Sequence, residues 1–576
     1  MKKVSVLDYI SKRKKRIAVG TMIKIAGTFA ELLLPIIMAY MIDEIAPEKN
    51  IPLLITWGII MLMCAVVAWG GNVKANRMAS KVARDTTREI RNDLFSSTLY
   101  LSASQTDEVT VPSLVSRLSS DTYNLHNMIG MVQRLGIRTP ILLIGGVALT
   151  FTVEPVLALV LLAIVPLLTL IVIYISSKGI VLYTSLQKAV DVMVRKVRDD
   201  YTGIRVIKAL SKTEYESSDF RKINENVVSN ETRAGLTMGI TSPVLNMLLN
   251  LGMTAVIIVG AYRVSSGNAK VGEIIAFTSY FTIILNAVIS ISRIFVNISK
   301  GSASAKRISA ILNMENPLVA HPELSENINS DEYIAFENVT FGYNGSPALS
   351  NVSFSVRKGE SLGIIGATGS GKTTIISLLL RFYDPDSGVI RVDGRDIRSY
   401  DEKELRNKFG VVLQNDFLMA DTVKENIRFE RDVSDSDVES AAKYAKAHDF
   451  ISATEHGYDT GLTARGTNFS GGQKQRMLIA RALAAKPDIL ILDDASSALD
   501  YKTDAMLRKT LISNFPDTNI VMIAQRISSV RFADKIIMLD KGCVAGYGSH
   551  EELIRNCEIY REMQNTQTET EDGTNE

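Results

Sequence analysis

The chain has 576 residues, 46% of them hydrophobic and 22% charged, and a mean hydropathy of +0.13. At roughly 100–200 residues per domain, that length and that coexistence of apolar and charged residues fit a membrane domain joined to a soluble one. A formal net charge of +2 excludes a nucleic-acid binder built on a clustered basic face, and three scattered cysteines, Cys64, Cys543 and Cys557, exclude a disulfide framework or a thiolate metal site.

The amino terminus, MKKVSVLDYISKRKKRIAVG, is basic, but the apolar run behind it is too long for a signal-peptide core and reads as a retained first span. Stretches long enough for a ~30 Å hydrocarbon core lie near 17–44, 51–70, 135–153, 155–177, 234–262 and 274–292. Segments 71–134 and 178–233 are rich in Lys and Arg while 45–50 and the Val153-Glu154-Pro155 turn are minimal, which places the long segments in the cytosol. The short outer loop RVSSGNAK, with Arg263 and Lys270, departs mildly from that rule. Both long segments keep helical apolar spacing with few breakers, so the spans are expected to continue as helices beyond the bilayer.

Lys24 and Glu31 fall seven residues apart on one face of the first span, and Asn246 and Asn250 pair in the same way on the fifth. Intramembrane polar groups face a bundle interior or a water-filled path, so Glu31, Asn246 and Asn250 are candidates for a substrate cavity. Interhelical hydrogen bonding, or a Lys24 that snorkels to the cytosolic surface, is the alternative. Pro243 is expected to kink the fifth span.

After about Ser292 the apolar character fades into a polar connector, dividing the chain into a transmembrane domain (1–310), a linker (311–333), a soluble domain (334–563) and an acidic tail expected to be disordered (564–576). From Ile334 onward, β-branched runs such as SLGIIG, FGVVLQ, DILILDD and NIVMIAQ alternate with helical patterns, the mark of an α/β domain with a buried, mostly parallel sheet.

Gly366, Ala367, Thr368, Gly369, Ser370, Gly371, Lys372, Thr373 and Thr374 form G-x-x-x-x-G-K-[ST]-T between a strand and a helix. The glycines let backbone N–H groups wrap phosphates, Lys372 reaches the β/γ oxygens, and Thr373 is placed to ligate Mg²⁺. Ile489 to Asp493 is an apolar strand ending in a carboxylate, as delivery of Asp493 to Mg²⁺ requires.

Between these stretches lies FSGGQKQRMLIARAL, which resembles the signature of ABC (ATP-binding cassette) proteins. The resemblance spreads along the chain: Tyr343 matches the aromatic that stacks on adenine, Gln414 the Q-loop, and Ser497 to Asp500 the D-loop. Six spans followed by one such cassette resemble an ABC exporter half-transporter over about residues 1–563, an ATPase that uses ATP and Mg²⁺ in a cell membrane, here a bacterial inner membrane, with the cassette in the cytoplasm. The resemblance implies Mg²⁺ contacts from Thr373, Gln414 and Asp493. It also implies that two cassettes sandwich ATP, so that Ser470, Gly471, Gly472, Gln473 and Asp500 touch the nucleotide held by a partner chain. Segments 109–121 and 207–220 resemble the coupling helices at the tips of the cytosolic extensions.

Two positions depart from the family pattern. Asp494 stands where a glutamate polarises the attacking water, and Gln525 where a histidine contacts the γ-phosphate. Aspartate is shorter by one methylene, about 1.3 Å, and water activation depends on hydrogen-bond reach. Glutamine donates a hydrogen bond but cannot take an imidazole's part in proton transfer. Ala464 also replaces a glutamate common before the signature. The pattern resembles the degenerate subunit of a heterodimeric exporter of hydrophobic or amphipathic drugs, lipids or peptides, which binds ATP in its own site and lends its signature to a hydrolytic site on the partner. A slow homodimeric exporter, and a nucleotide-sensing membrane protein that transports nothing, are the alternatives.

Overall fold

The computed structural model describes residues 4–324, 331–343, 345–414, 416–495 and 498–572. It divides into two compact units, one comprising Met1–Tyr100 with Val109–Met314, the other Leu101–Glu108 with Glu315–Glu576.

The first unit is helical: α1 (Lys14–Tyr40), α2 (Ile51–Leu99), then, beyond the short α3 (Ala103–Val109), which lies in the other unit up to Glu108, α4 (Thr122–Val153), α5 (Pro155–Thr202), α6 (Thr213–Gly239), α7 (Thr241–Ser265) and α8 (Val271–Leu312). Among the described residues, six helical segments are long and apolar enough to cross a membrane. At 1.5 Å per residue the 49 residues of α2 run about 70 Å, more than twice the hydrocarbon thickness, so the spans continue as helix into their charged extensions as their periodicity predicts. Leu62, Met63, Val66, Val67 and Trp69 on α2 are exposed, the surface of a helix whose solvent is lipid.

Small residues set the tight crossings. A Cβ on Gly71 would come within 3.2 Å of Gly27 Cα, so α1 and α2 approach through bare backbone. Phe277, Tyr280, Phe281 and Ile284 of α8 are fully buried, and Tyr280 donates to the Leu32 carbonyl. The fifth span breaks at Ile240, between α6 and α7, just before Pro243, which occupies the first turn of α7 where it forfeits no helical hydrogen bond. The two cations of the outer loop are balanced by carboxylates: Arg263 pairs with the buried Glu154 at 3.1 Å and Lys270 pairs with Glu44. Asp43 accepts hydrogen bonds from the backbone N–H groups of Gly272 and Glu273, satisfying the first turn of α8.

The second unit carries two sheets. The smaller joins β1 (Glu332–Tyr343), β2 (Ser346–Arg357), β4 (Ser387–Val392) and β5 (Arg395–Asp396) in the order β2-β1-β4-β5, all antiparallel. The larger contains β3 (Ser361–Gly366), β6 (Phe409–Val412), β7 (Ile489–Asp493), β8 (Asn519–Ile523), β9 (Lys535–Asp540) and β10 (Cys543–Gly548) in the order β10-β9-β3-β8-β7-β6. Its β9-β3-β8-β7-β6 pairings are parallel, and every residue of β3 and β7 is buried, as near-continuous apolar runs dictate.

Two expectations need correction. The part of the first cytosolic tip that belongs with the cassette is Leu101–Glu108, upstream of the expected 109–121: Tyr383 donates to Asp107, and Gln105 donates to the Glu315 carbonyl at 2.7 Å. Segment 109–121 itself belongs with the helical unit. The tail expected to be disordered from 564 is helical through Asp572, in the helix α14 (Glu558–Asp572), which follows α13 (His550–Asn556). Tyr560, Met563 and Gln567, spaced one helical face apart, dock that helix on the cassette, which composition alone does not reveal.

Candidate functional site

The parallel sheet brings the sequence motifs together. Ile364 of β3 lies opposite Ile523 of β8, which lies opposite Asp493 of β7, so Gly366, Asp493 and the residues after Ile523 emerge at one sheet edge. That edge, at the carboxyl ends of the strands, is where open α/β sheets place ligands. A cavity of about 570 Å³ opens there, lined among others by Tyr343, Thr368, Lys372, Thr373, Thr374, Gln414, Asp493, Asp494 and Gln525. Tyr343 stands edge-on to Phe341 and Tyr383, with its hydroxyl 3.5 Å from Thr374 Oγ1.

Gly371 sits at φ 101°, immediately before the helix α9 (Lys372–Leu379), and a Cβ there would meet Leu349 Cδ2 at 2.6 Å. Only glycine suits both the backbone and the space. Lys372 donates from Nζ to the carbonyls of Gly366 and Ala367, each at 2.8 Å, so those two residues position the ammonium, while Gly369 and Gly371 line the cavity.

Burial acts on the charged groups that line the cavity. Burial pushes the Asp493 carboxyl up, Asp494 beside it adds to that, and a backbone hydrogen bond from Gln414 and the charge of Lys372 oppose it. Asp494 is raised by burial against the pull of Lys372 and Arg526, and Lys372 is lowered by burial against both aspartates. Asp493 Oδ2 and Ser370 Oγ are buried without a hydrogen-bond partner. A buried carboxylate oxygen with open lone pairs, in the cavity that Thr373 and Gln414 also line, fits a hard divalent cation such as Mg²⁺.

Asp494 takes a left-handed backbone, φ 51°, with its N–H bonded to the Ile523 carbonyl at 3.0 Å. Aspartate is among the residues that tolerate this region. Both Asp494 and Gln525 line the cavity, so the two departures from the family pattern lie in one site.

Ser470, Gly471, Gly472 and Gln473 begin the 14-residue helix α10 (Gly471–Ala484). Ser470 and Gln473 form a reciprocal capping box, the Ser470 N–H donating to Gln473 Oε1 at 2.9 Å. A Cβ on Gly472 would lie 2.9 Å from the Ala498 carbonyl, so the D-loop packs against the bare start of α10. Ser497 lies outside the described residues. Asp500 caps the helix α11 (Tyr501–Asn514) through the Thr503 N–H at 2.9 Å.

The sequence motifs did not disclose Gln475, whose amide donates to the Asp494 carbonyl at 3.4 Å and accepts from the Ala498 N–H at 3.0 Å, tying α10 to both loops. Its place two residues past the signature was the only signal. Arg526, electrostatically coupled to Asp494, was missed as well.

In the helical unit Glu31 is engaged by Arg138, whose guanidinium makes two hydrogen bonds to the carboxylate, and Asn246 and Asn250 are exposed on α7. Lys24 is buried and donates to Asn76 at 3.0 Å, which corrects the snorkelling alternative. The side chains of Glu31 and Arg138 are 24% and 34% exposed, so Glu31→Gln is expected to cost about 1–2 kcal/mol, less than a fully buried pair. The thermal midpoint of the purified protein should fall accordingly and recover in Glu31→Gln/Arg138→Gln; an unchanged midpoint for the single variant would make the pair energetically idle.

Residues 17–288 match the family profile "ABC transporter transmembrane region" and residues 349–497 the profile "ABC transporter". The chain is 33% identical over 540 residues to the uncharacterized ABC transporter ATP-binding protein YfiB of Bacillus subtilis, covering 93% of this chain and 94% of that protein. It is 31% identical over 574 residues to the uncharacterized ABC transporter ATP-binding protein Rv1273c of Mycobacterium tuberculosis, covering 97% of each. The solved structure of a bacterial Atm1-family ABC exporter with ATP bound superposes with a TM-score of 0.81 at 25% identity, covering 96% of this chain and 98% of that one.

Proposed function

Because the chain belongs to the ABC transporter family, we propose that it is one half of a heterodimeric, ATP-driven exporter whose own nucleotide site binds ATP and hydrolyses it slowly. The observation that carries this reading is the composition of one cavity: the phosphate loop and Asp493 are intact, while the water-activating and γ-phosphate positions of the same cavity hold Asp494 and Gln525. Thr373, Gln414 and Asp493 would hold Mg²⁺, which supplies charge neutralisation at the phosphates when bound. Tyr343 would stack on the base, and the N–H groups of the loop with Lys372 would hold the phosphates.

Ser470 to Gln473 would complete the hydrolytic site of a partner chain, the positive end of α10 directed at its nucleotide. Lys372, Asp493 and the loop bind and position; Asp494, one methylene short, falls outside the reach that general-base catalysis needs. Cassette closure would be transmitted through α3 and the 207–220 tip to the spans, which rock between inward-open and outward-open forms and move a hydrophobic or amphipathic substrate outward across the cytoplasmic membrane.

The test is gentle purification of the tagged chain from its native membrane, with mass spectrometry of what accompanies it. A second half-transporter at equal stoichiometry, with glutamate after its Walker B aspartate and histidine in its switch loop, is the expected result. Recovery of this chain paired only with itself would overturn the heterodimer.

A further inference from the structure

The cavity wall at Gln525 is held from outside by the end of the chain. The short helix α12 (Ile527–Val530) follows Gln525 after one extended residue, Arg526, and no side chain of Arg526 caps it. The first turn of a helix leaves N–H groups without intrahelical acceptors, so this one needs an acceptor from elsewhere. Gln567 of α14 supplies it. Its Oε1 accepts from the Ile527 N–H at 2.9 Å, and its Nε2 donates to the Gln525 carbonyl at 2.9 Å.

One primary amide thus spans the three residues that carry Gln525 into the cavity and set Arg526 toward Asp494. The geometry is supported along the helix: Tyr560 is fully buried and Met563 packs beside it, in a cluster with Ala524, Ile527 and Val530. Residues 560, 563 and 567 lie at i, i+3 and i+7, one face of α14, so seating the apolar pair delivers the amide to the loop.

We propose that the C-terminal helix is a latch on this chain's nucleotide site, with Gln567 the positioning residue that fixes the Gln525–Ile527 backbone and thereby slows nucleotide release. The proposal rests on the reading that ATP occupies the cavity above Lys372. The chemistry requires an amide of this length. Leucine removes both bonds. Glutamate keeps an acceptor for Ile527 but sets a carboxylate oxygen against the Gln525 carbonyl. Asparagine falls one methylene short.

The experiment uses the full-length complex as purified from membranes. Amide hydrogen exchange is read without nucleotide at Ile527 and at the phosphate loop; release is read by loading radioactive 8-azido-ATP, chasing with ATP, irradiating at intervals and following label on this chain. In Gln567→Leu, exchange at Ile527 rises at least tenfold with the phosphate loop unchanged, and label is lost severalfold faster. Gln567→Glu keeps the Ile527 protection yet also loses label faster, and truncation after Gln564, which retains Tyr560 and Met563, behaves as the leucine variant. Unchanged Ile527 exchange in Gln567→Leu overturns the contact, and raised exchange with unchanged release overturns the latch. A wild-type chain that takes no label would sink the nucleotide-site reading itself, and the exchange arm would still decide the contact.

Discussion

Asp494→Glu combined with Gln525→His raises ATP turnover at this chain's own site by on the order of 10²-fold, the lower end of what a positioned general base contributes. Both side chains line the same cavity as Lys372, Thr373 and Asp493, so the substitution restores reach without rebuilding the phosphate or cation contacts. The added methylene carries the carboxylate about 1.3 Å further from a backbone that the Ile523 carbonyl already fixes. Glutamate is less at ease than aspartate with φ 51°, which sets a small stability cost against the gain. The two substitutions act as a unit, so each alone should give less than its share of the combined effect.

Phosphate release by the purified complex measures the rate, and vanadate trapping of 8-azido-ATP, read separately on the two chains, assigns it. Asp494→Asn, in contrast, should leave total turnover of the complex within about twofold, because a site that contributes little has little to lose. A large loss in Asp494→Asn would show instead that Asp494 is the working base of an active site, and the degenerate reading would fall.

The residues that line this cavity are legible in the sequence because their motifs are local. A phosphate loop needs glycines and a lysine within nine consecutive residues, and β3 and β7 announce themselves as unbroken apolar runs. What stays hidden depends on packing between distant segments. Asn76 lies 52 residues from Lys24 and Arg138 lies 107 from Glu31; the first pairing follows from how closely α1 meets α2, which the Gly27–Gly71 approach sets, the second from α1 packing beside α4, and hydropathy discloses neither. The same holds at the end of the chain, where a polar composition reads as solvated while three residues at helical spacing dock it. Arg263 and Lys270 likewise find partners, Glu154 and Glu44, that lie far from them in sequence.

Gly472→Ala tests the other half of the proposed cycle. A Cβ there meets the Ala498 carbonyl at 2.9 Å, a backbone atom whose residue is held by Gln475 through its N–H, so the D-loop or the start of α10 must shift. A shift approaching 1 Å at a reacting centre costs on the order of 10²-fold. Turnover of the complex should fall by that factor while 8-azido-ATP labelling of this chain is retained, because the labelled cavity does not include Gly472. Gly471→Ala is the discriminating control: its Cβ would lie 3.5 Å from the Ala498 Cβ, an ordinary contact that the D-loop absorbs without moving. Loss in Gly472→Ala alone assigns the effect to D-loop packing. Equal loss in both means that a side chain at the head of α10 blocks something outside this chain, as a nucleotide held by the partner requires. In a homodimer every site uses this signature, so neither chain could show retained turnover; in the asymmetric exporter the partner's site alone goes silent.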